Sequence, residues 1–229
     1  MLTAISIAAF NFAAFGRPVA GARIFALGEP SVTLAVTDAQ GCAVVHRPPG
    51  EEVSFVLEKA GFVSTQGAAL VVPNQALCGR DKEVTFQTLP TWFFAAAKRW
   101  LRIPTVPGRR HLVTTVTAAG MTLRDAVQGE PSATIQVTRE ERAIQVTPIY
   151  LGIIPFVHKT DLFSARWRRG TATSADGGVL IPSLQVGTYT IKAEAPGRRF
   201  GLVRAMLRDD SPELINLSPP WGPQVLSAG

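Results

Sequence analysis

The stretch TDAQGCAVVHRPPGEEVSFVLEKAGFVST, residues Thr37–Thr65, follows the same plan as TSADGGVLIPSLQVGTYTIKAEAPGRRF, residues Thr173–Phe200. Each copy has a Thr, an Asp and a Gly, then a short apolar run, a Gly-containing turn and an alternating strand. An Asp side chain accepts hydrogen bonds from backbone N–H groups just downstream, and Gly supplies a positive φ, so the opening of each copy predicts a tight turn. The repetition predicts two similar β units.

The segments upstream of these turns also match. GRPVAGARIFAL, residues Gly16–Leu27, aligns by eye with GEPSATIQVT, residues Gly129–Thr138, if the two Gly-x-Pro sequences are equated. In both segments the residues that follow alternate in polarity with a period of two, which places one face of a strand on a core. The opening MLTAISIAAFNFAAFG is apolar but has no basic residue at its start, so we interpret it as the first strand and not as a signal peptide.

Composition and length favour an all-β protein of two domains. At 229 residues the chain exceeds the usual single domain of roughly 100–150 residues. Its 46% hydrophobic and 17% charged residues exclude a disordered chain. Gly and Pro punctuate short apolar runs throughout, and neither half has a long helical period. We therefore predict two tandem antiparallel β-sandwiches, over 1–89 and 111–229, joined by a linker at 90–110 that carries a short helix.

The net charge of +6 is concentrated in the linker. Residues 1–89 carry six basic and seven acidic side chains (net −1), and residues 112–229 carry twelve and ten (net +2). The stretch 90–111 carries five basic side chains and no acidic one (net +5). A nucleic-acid-binding protein would be expected to spread its basic residues over a domain surface, so we expect no nucleic-acid partner.

The turn residues of both halves resemble the carboxypeptidase regulatory-like family, whose domains are transthyretin-like (prealbumin-like) β-sandwiches. In the first half the resemblance is carried by Gly16, Pro18, Gly21, Ala22, Thr37, Asp38, Gly41, Pro49 and Gly50. In the second half it is carried by Gly129, Pro131, Ala133, Thr173, Asp176, Gly177, Gly187, Tyr189 and Gly197. The second half departs from the pattern at Ser132 and at Val186. The resemblance implies a fold and an add-on domain of the cell envelope, and it implies no chemistry.

Enzymes on related sandwiches bind ferric iron with two Tyr and two His. This chain has two Tyr and three His, the latter at positions 46, 111 and 158, and no two His fall at a metal-ligand spacing. It has no Gly-x-Ser-x-Gly elbow, phosphate loop or His-Glu-x-x-His sequence. We expect no metal and no cofactor.

The second half contains a long insertion at 138–172, where the first half has about ten residues. Tyr150, His158 and Asp161 could serve there as proton donor, general base and orienting acid if the protein is an enzyme. The alternative is an extra hairpin in which these residues are structural.

The same insertion contains Arg166, Trp167 and Arg168, which are candidate ligand-binding residues. Guanidinium groups make bidentate contacts with carboxylates and phosphates. The alternative is a solvated turn.

The linker predicts a helix over 91–103, capped by Thr91 and stopped by Pro104. An apolar stripe is predicted to comprise Trp92, Ala96, Trp100 and Ile103, with Phe93, Ala97 and Leu101 beside it, opposite Lys98, Arg99 and Arg102. So short a helix is not stable alone, and its stripe must be buried. It could pack on the sandwiches, bind a membrane surface, dock a partner or cover an apolar pocket. Trp92, Phe93 and Trp100 are its candidate ligand-binding residues.

Cys42 and Cys78 are either two thiols or one disulfide, and the sequence does not decide between them. We predict a non-catalytic binding, accessory or assembly module whose partner is a protein or an apolar small molecule, with membrane-surface contact through 91–103 as an alternative. The cell envelope, periplasm or secretion is favoured over the cytoplasm. The alternative function is a hydrolase, isomerase or lyase of an apolar small molecule, with its site between the 138–172 insertion and the 91–103 helix. The oligomeric state is not specified by the sequence.

Overall fold

The computed structural model of the chain describes residues 1–14, 16–79, 82–122, 125, 128–151 and 170–226. The strands of the first half are β1 (Thr3–Asn11), β2 (Arg17–Pro18), β3 (Arg23–Ala26), β4 (Ala35–Val36), β5 (Cys42–Arg47), β6 (Glu52–Glu58), β7 (Thr65–Val71) and β8 (Val84–Thr88). A short 3₁₀ helix, η1 (Phe12–Ala14), follows β1, and helix α1 (Thr91–Trp100) follows β8.

The strands of the second half are β9 (Arg110–Thr115), β10 (Thr134–Arg139), β11 (Arg142–Ala143), β12 (Ile149–Tyr150), β13 (Gly178–Leu184), β14 (Gly187–Glu194), β15 (Val203–Leu207) and β16 (Leu214–Leu217). The chain is mostly β, with large curled sheets. The predicted opening strand and the predicted strands of both repeats are confirmed as β1, β3, β6, β10 and β14.

The same strand pairing occurs in both halves. In the first half, β1 runs antiparallel to β5 and parallel to β8, and β6 lies between β3 and β7 with antiparallel pairing on both sides. In the second half, β9 runs antiparallel to β13 and parallel to β16, and β14 lies between β10 and β15, again antiparallel on both sides. The repeat seen in the sequence is therefore a repeat of topology.

A buried threonine makes the same pair of hydrogen bonds in each half. The Oγ1 atom of Thr37 accepts the backbone N–H of Ala22 at 2.8 Å and donates to the Val19 carbonyl at 2.7 Å. The Oγ1 atom of Thr173 accepts the N–H of Ala133 at 2.9 Å and donates to the Glu130 carbonyl at 2.6 Å. Both hydroxyls satisfy backbone groups at a turn that no ladder pairs, which is why this position needs a small hydroxyl residue.

The hydrogen bonds correct part of the sequence alignment. The N–H of Val19 donates to the Ala9 carbonyl, and the N–H of Glu130 donates to the Val116 carbonyl. Val19 and Glu130 are therefore equivalent positions, and the residues before them, Pro18 and Gly129, are equivalent too. The alignment that equated the two Gly-x-Pro sequences was wrong. The likeness arose because short turn sequences use the same few residue types.

The predicted chemistry of the turn that follows is confirmed in the first half. The Oδ1 atom of Asp38 accepts N–H groups from Gln40 at 2.9 Å and from Cys42 at 2.8 Å. In the second half Ser174, and not the Asp that the sequence predicted, occupies this position, and its Oγ accepts the N–H of Asp176 at 3.3 Å. Gly41 and Gly177 close the two turns with φ of 73° each.

Hydrogen bonding continues from one half into the other. β7 of the first half pairs in parallel with β16 and contacts β15 across one antiparallel position. Trp221, after β16, packs against the buried clusters of both halves and donates its indole N–H to the Glu83 carbonyl at 3.0 Å. The two halves of the chain are thus joined by sheet pairing and by a shared aromatic residue.

Candidate functional site at helix α1

Helix α1 lies within 91–103, the range for which the sequence predicted a helix, and its bounds are shorter. Its N-cap is Pro90, no side chain caps it, and Thr91 lies one position inside the helix. The regular helix ends at Trp100, and the N–H groups of Leu101 and Ile103 donate to the carbonyls of Ala97 and Lys98. Residues 101–103 therefore continue as a closing turn. The predicted capping role of Thr91 is wrong because Pro90 takes the cap position.

The inner side of this segment is formed by Phe94, Leu101 and Ile103, all buried. Leu101 and Ile103 form a buried apolar cluster with Leu180 of β13, on which Val113 of β9 also packs. This burial provides the tertiary support that a ten-residue helix requires in water.

A charged pair fixes the helix to the strands. The Lys98 Nζ lies 2.5 Å from the Oε1 atom of Glu213 and 4.9 Å from the centroid of the Phe94 ring. The same Oε1 atom lies 3.5 Å from Nε2 of His111, at the start of β9. Lys98 thus faces the protein body, although the sequence placed it opposite the apolar stripe.

His111 is a buried polar residue, with 2% of its surface exposed. Its Nδ1 atom accepts the backbone N–H of Ser183 at 3.2 Å, at a register irregularity of β13 where Ser183 has a φ of 60°. Because Nδ1 accepts a hydrogen bond, the ring proton lies on Nε2, facing Glu213. Burial lowers the pKa of His111, an effect that Glu213 opposes and Lys98 reinforces. The imidazole is therefore neutral at neutral pH.

This environment predicts a pH-dependent stability. Because the pKa of His111 is lower in the folded chain than its ordinary value of 6.5, the unfolded state binds a proton first as the pH falls. We expect the contribution of His111 to be complete above about pH 6.5 and to be lost below it, at a slope of up to about 1.4 kcal/mol per pH unit. Urea unfolding of the parent and of His111→Asn, between neutral pH and the onset of carboxylate titration, measures this slope.

The asparagine variant keeps an acceptor for the Ser183 N–H but has no titrating group at this position. Its free energy of unfolding should therefore change less with pH over this range. Equal slopes in the parent and in His111→Asn would contradict the expectation.

An apolar cavity of about 60 Å³ lies between α1 and the strands. Its walls include Phe94 and Leu101 from the helix segment, Val113 and Leu180 from β9 and β13, and Leu151. A more open cleft of about 420 Å³ lies against Phe94 and Lys98 and is bounded by Phe62, Pro212 and Glu213. Leu151 belongs to the 138–172 insertion, so the first cavity adjoins a described residue of that segment.

The outer face of α1, defined as Trp92, Ala95, Ala96, Arg99 and Trp100, is exposed to solvent. Trp92 and Trp100 expose 68% and 49% of their surfaces. The predicted buried stripe contained both tryptophans, and that expectation was wrong. The helix is apolar almost all round, and Phe94, not Trp92 or Trp100, faces the body.

The candidate ligand-binding residues Trp92 and Phe93 contact each other, with ring centroids 5.5 Å apart at 82°, and Phe93 lies 6.0 Å from Phe12 of η1. Trp100 lies at the other end of the outer face. The involvement of Phe12 was not predicted, because it lies about 80 residues away in the chain and no local pattern connects it to the helix.

Tyr150, the described member of the candidate catalytic trio, is 7% exposed and belongs to the core of the second half. Its hydroxyl accepts the backbone N–H of Ile135 at 3.1 Å, which is a structural use of that oxygen. His158, Asp161, Arg166, Trp167 and Arg168 lie outside the described residues, so their predicted roles remain predictions.

No disulfide joins Cys42 and Cys78 in the structure, so the disulfide alternative is not formed. Within the described ranges, no group of three or more His, Cys, Asp or Glu side chains is placed to hold a metal ion. Among the described helices, none has the length and apolar character needed to cross a bilayer.

The fold and the helix define a class: a mostly β protein with large curled sheets and a surface helix. No family model matches the sequence. No curated protein matches it either.

Among solved structures, the Bacillus anthracis TIE protein is 12% identical with a TM-score of 0.31, and the match covers 98% of this chain and 34% of that protein. A streptococcal ancillary pilin is 13% identical with a TM-score of 0.27, and the match covers all of this chain and 63% of the pilin. The minor pilin of Streptococcus agalactiae is also 13% identical with a TM-score of 0.27, over 99% of this chain and 98% of the pilin.

This chain thus spans about a third of the first of these proteins and less than two thirds of the second. All three TM-scores lie below the value that indicates a shared fold.

Proposed function

We propose that this chain is a non-catalytic binding or assembly module that contacts its partner through the outer face of α1. It consists of two transthyretin-like sandwiches of the carboxypeptidase regulatory-like kind, over 1–89 and 111–229, with 90–110 as the linker. The duplicated strand pairing and the duplicated threonine hydrogen bonds support the two units. As the family resemblance implies, we place the protein at the cell envelope or outside the cell.

The exposure of Trp92 and Trp100 carries the proposal. The two residues lie eight positions apart, about two turns, so both occupy one side of the helix, with Ala95 and Ala96 between them. Aromatic residues are enriched at binding surfaces because they bury a large area at a small cost in side-chain entropy. The inner side of α1 is held by the body, so this outer face is presented in a fixed orientation.

The hydroxyl groups of both tyrosines make structural hydrogen bonds, which supports a non-catalytic role. The Tyr150 hydroxyl accepts the Ile135 N–H, and the Tyr189 hydroxyl donates to the Gln185 carbonyl at 2.9 Å. Burial raises the pKa of Tyr189, which keeps that phenol protonated as a donor. These hydroxyls have structural partners, and the enzyme alternative then depends on His158 and Asp161.

A photo-crosslinking experiment tests the proposed face. Benzoylphenylalanine introduced at Ala96, in cells that naturally produce the protein, should give a discrete covalent adduct on illumination. The adduct should disappear when Trp92→Ala and Trp100→Ala are added, because the partner loses its two apolar anchors.

The same photo-reactive residue at Leu202, which is 66% exposed and lies in the second half, is the matched control. An adduct specific to position 96 supports the proposed function, whether the captured molecule is protein or lipid. No adduct at 96, or the same adduct at 96 and 202, would rule out this face as the binding surface.

A further inference from the structure

We propose that the outer face of α1 binds an anionic lipid surface; this inference rests on the proposed function and names the partner of the same face. The four observations that support it are the exposure of the tryptophans, the charge around them, the fixed orientation of the helix and the shape of the surface.

The exposed face combines apolar and cationic residues in one strip. Trp92 and Trp100 lie near its two ends, and Arg99 lies between them, with all three exposed. Arg102, just after the helix, is also exposed. Tryptophan favours the boundary between lipid headgroups and acyl chains, and arginine interacts there with anionic headgroups.

The surrounding charge favours an anionic partner. The stretch 90–111 contains no acidic residue, so α1 has no acid of its own to neutralise Arg99 and Arg102. The acid that binds Lys98 is Glu213, which lies on the body side of the helix. A second copy of the chain is a poor occupant, because a two-fold contact through this face would bring the arginines of both copies together.

The helix is ordered before it binds anything. Phe94, Leu101 and Ile103 are buried, and the pair between Lys98 and Glu213 fixes the axis. A membrane-binding helix usually folds on the lipid and loses conformational entropy in doing so, and α1 avoids that loss.

The shape of the surface favours lipid over a protein groove. An exposed helix is a convex ridge, with small alanines at 95 and 96 between the aromatic side chains. The aromatic side chains can enter a deformable lipid interface together, whereas a protein partner must supply a matching groove that is itself acidic. A captured acidic protein is therefore the competing outcome of the test.

Co-sedimentation of the full chain with vesicles provides the test. We expect binding to phosphatidylcholine vesicles that contain phosphatidylglycerol, and little binding to vesicles of phosphatidylcholine alone. The double variant Arg99→Gln/Arg102→Gln should weaken binding to the anionic vesicles by about 30-fold, since each basic residue contributes roughly a factor of five near such a surface. Trp92→Ala/Trp100→Ala should weaken it by at least about tenfold.

Two matched control variants test whether vesicle binding depends on this face or only on the overall charge and exposed apolar surface of the protein. Arg142→Gln/Arg199→Gln removes the same charge from two exposed arginines elsewhere, and Val71→Ala/Leu202→Ala removes two exposed apolar side chains. Both should bind as the parent does. Thermal unfolding of every variant checks that each one is folded, and all substituted positions are exposed, so folding should be retained.

Loss of binding in the two α1 variants alone supports the inference. Equal binding to both vesicle types, no binding to anionic vesicles, or equal losses in the control variants would overturn it. If vesicles do not bind but the crosslink at position 96 captures a protein, the lipid inference fails while the proposed function stands. If neither appears, both fail.

Discussion

Replacing Gly41 by alanine is expected to lower the free energy of unfolding by about 3 kcal/mol or more, and Gly177→Ala should have a similar effect. Gly41 has a φ of 73°, and an added Cβ would lie 2.5 Å from the Ala9 carbonyl oxygen. At Gly177 the φ is also 73°, and the Cβ would lie 2.2 Å from the Val116 carbonyl oxygen. Urea unfolding at equilibrium measures both losses.

The expected size follows from two separate penalties. An L-residue in the left-handed region costs about 1–2 kcal/mol. The contact with backbone adds to this, because Ala9 and Val116 lie in or beside the strands that pair with these turns and cannot move away as a flexible side chain would. The carbonyls concerned also accept the N–H groups of Val19 and Glu130, so displacement would weaken a buried hydrogen bond.

Gly50→Ala separates the two penalties. Gly50 has a φ of 83°, and an added Cβ would meet nothing within 4 Å. This variant should therefore lose only the conformational part, about 1 kcal/mol. If Gly41→Ala cost no more than Gly50→Ala, the close approach of the turn to β1 would be contradicted. A large effect at Gly41 with a small one at Gly177 would contradict the equivalence of the two turns.

These turns were predictable because their determinants are local. An Asp or Ser whose oxygen accepts the N–H two residues on, and a Gly three residues on, specify the backbone whatever lies around them. The alternation of β10 was predictable for the same reason, because a strand that is buried on one face alternates between buried and exposed residues. The duplicated topology then follows from two similar strings of such signals.

The side of α1 that packs on the protein body could not be predicted from the helix sequence. Trp92, Phe93, Phe94 and Trp100, together with three alanines, leave the helix apolar on nearly every side, so periodicity does not select one. The pair between Lys98 and Glu213 selects it in the structure, and these residues are 115 positions apart. The pairing of β7 with β16 is equally non-local, and no turn or spacing indicates it.

Trp221→Ala is the variant that most directly tests how the halves are joined. We expect it to lower the free energy of unfolding by about 3 kcal/mol, because it removes a large aromatic side chain that packs on both buried clusters. Trp221→Phe keeps most of that packing but loses the hydrogen bond to the Glu83 carbonyl, so it should cost only about 1 kcal/mol. Urea unfolding measures both variants.

Hydrogen exchange of backbone amides shows where the loss occurs. If Trp221 couples the two cores, as its contacts indicate, Trp221→Ala should raise exchange in β1 and β6 of the first half as well as in β9 and β14 of the second. The first half contributes β7 to the contact with β16, so weakening this region should be felt on both sides of the junction. A rise confined to one half, or a stability loss below that of Trp221→Phe, would mean that Trp221 does not couple the two cores.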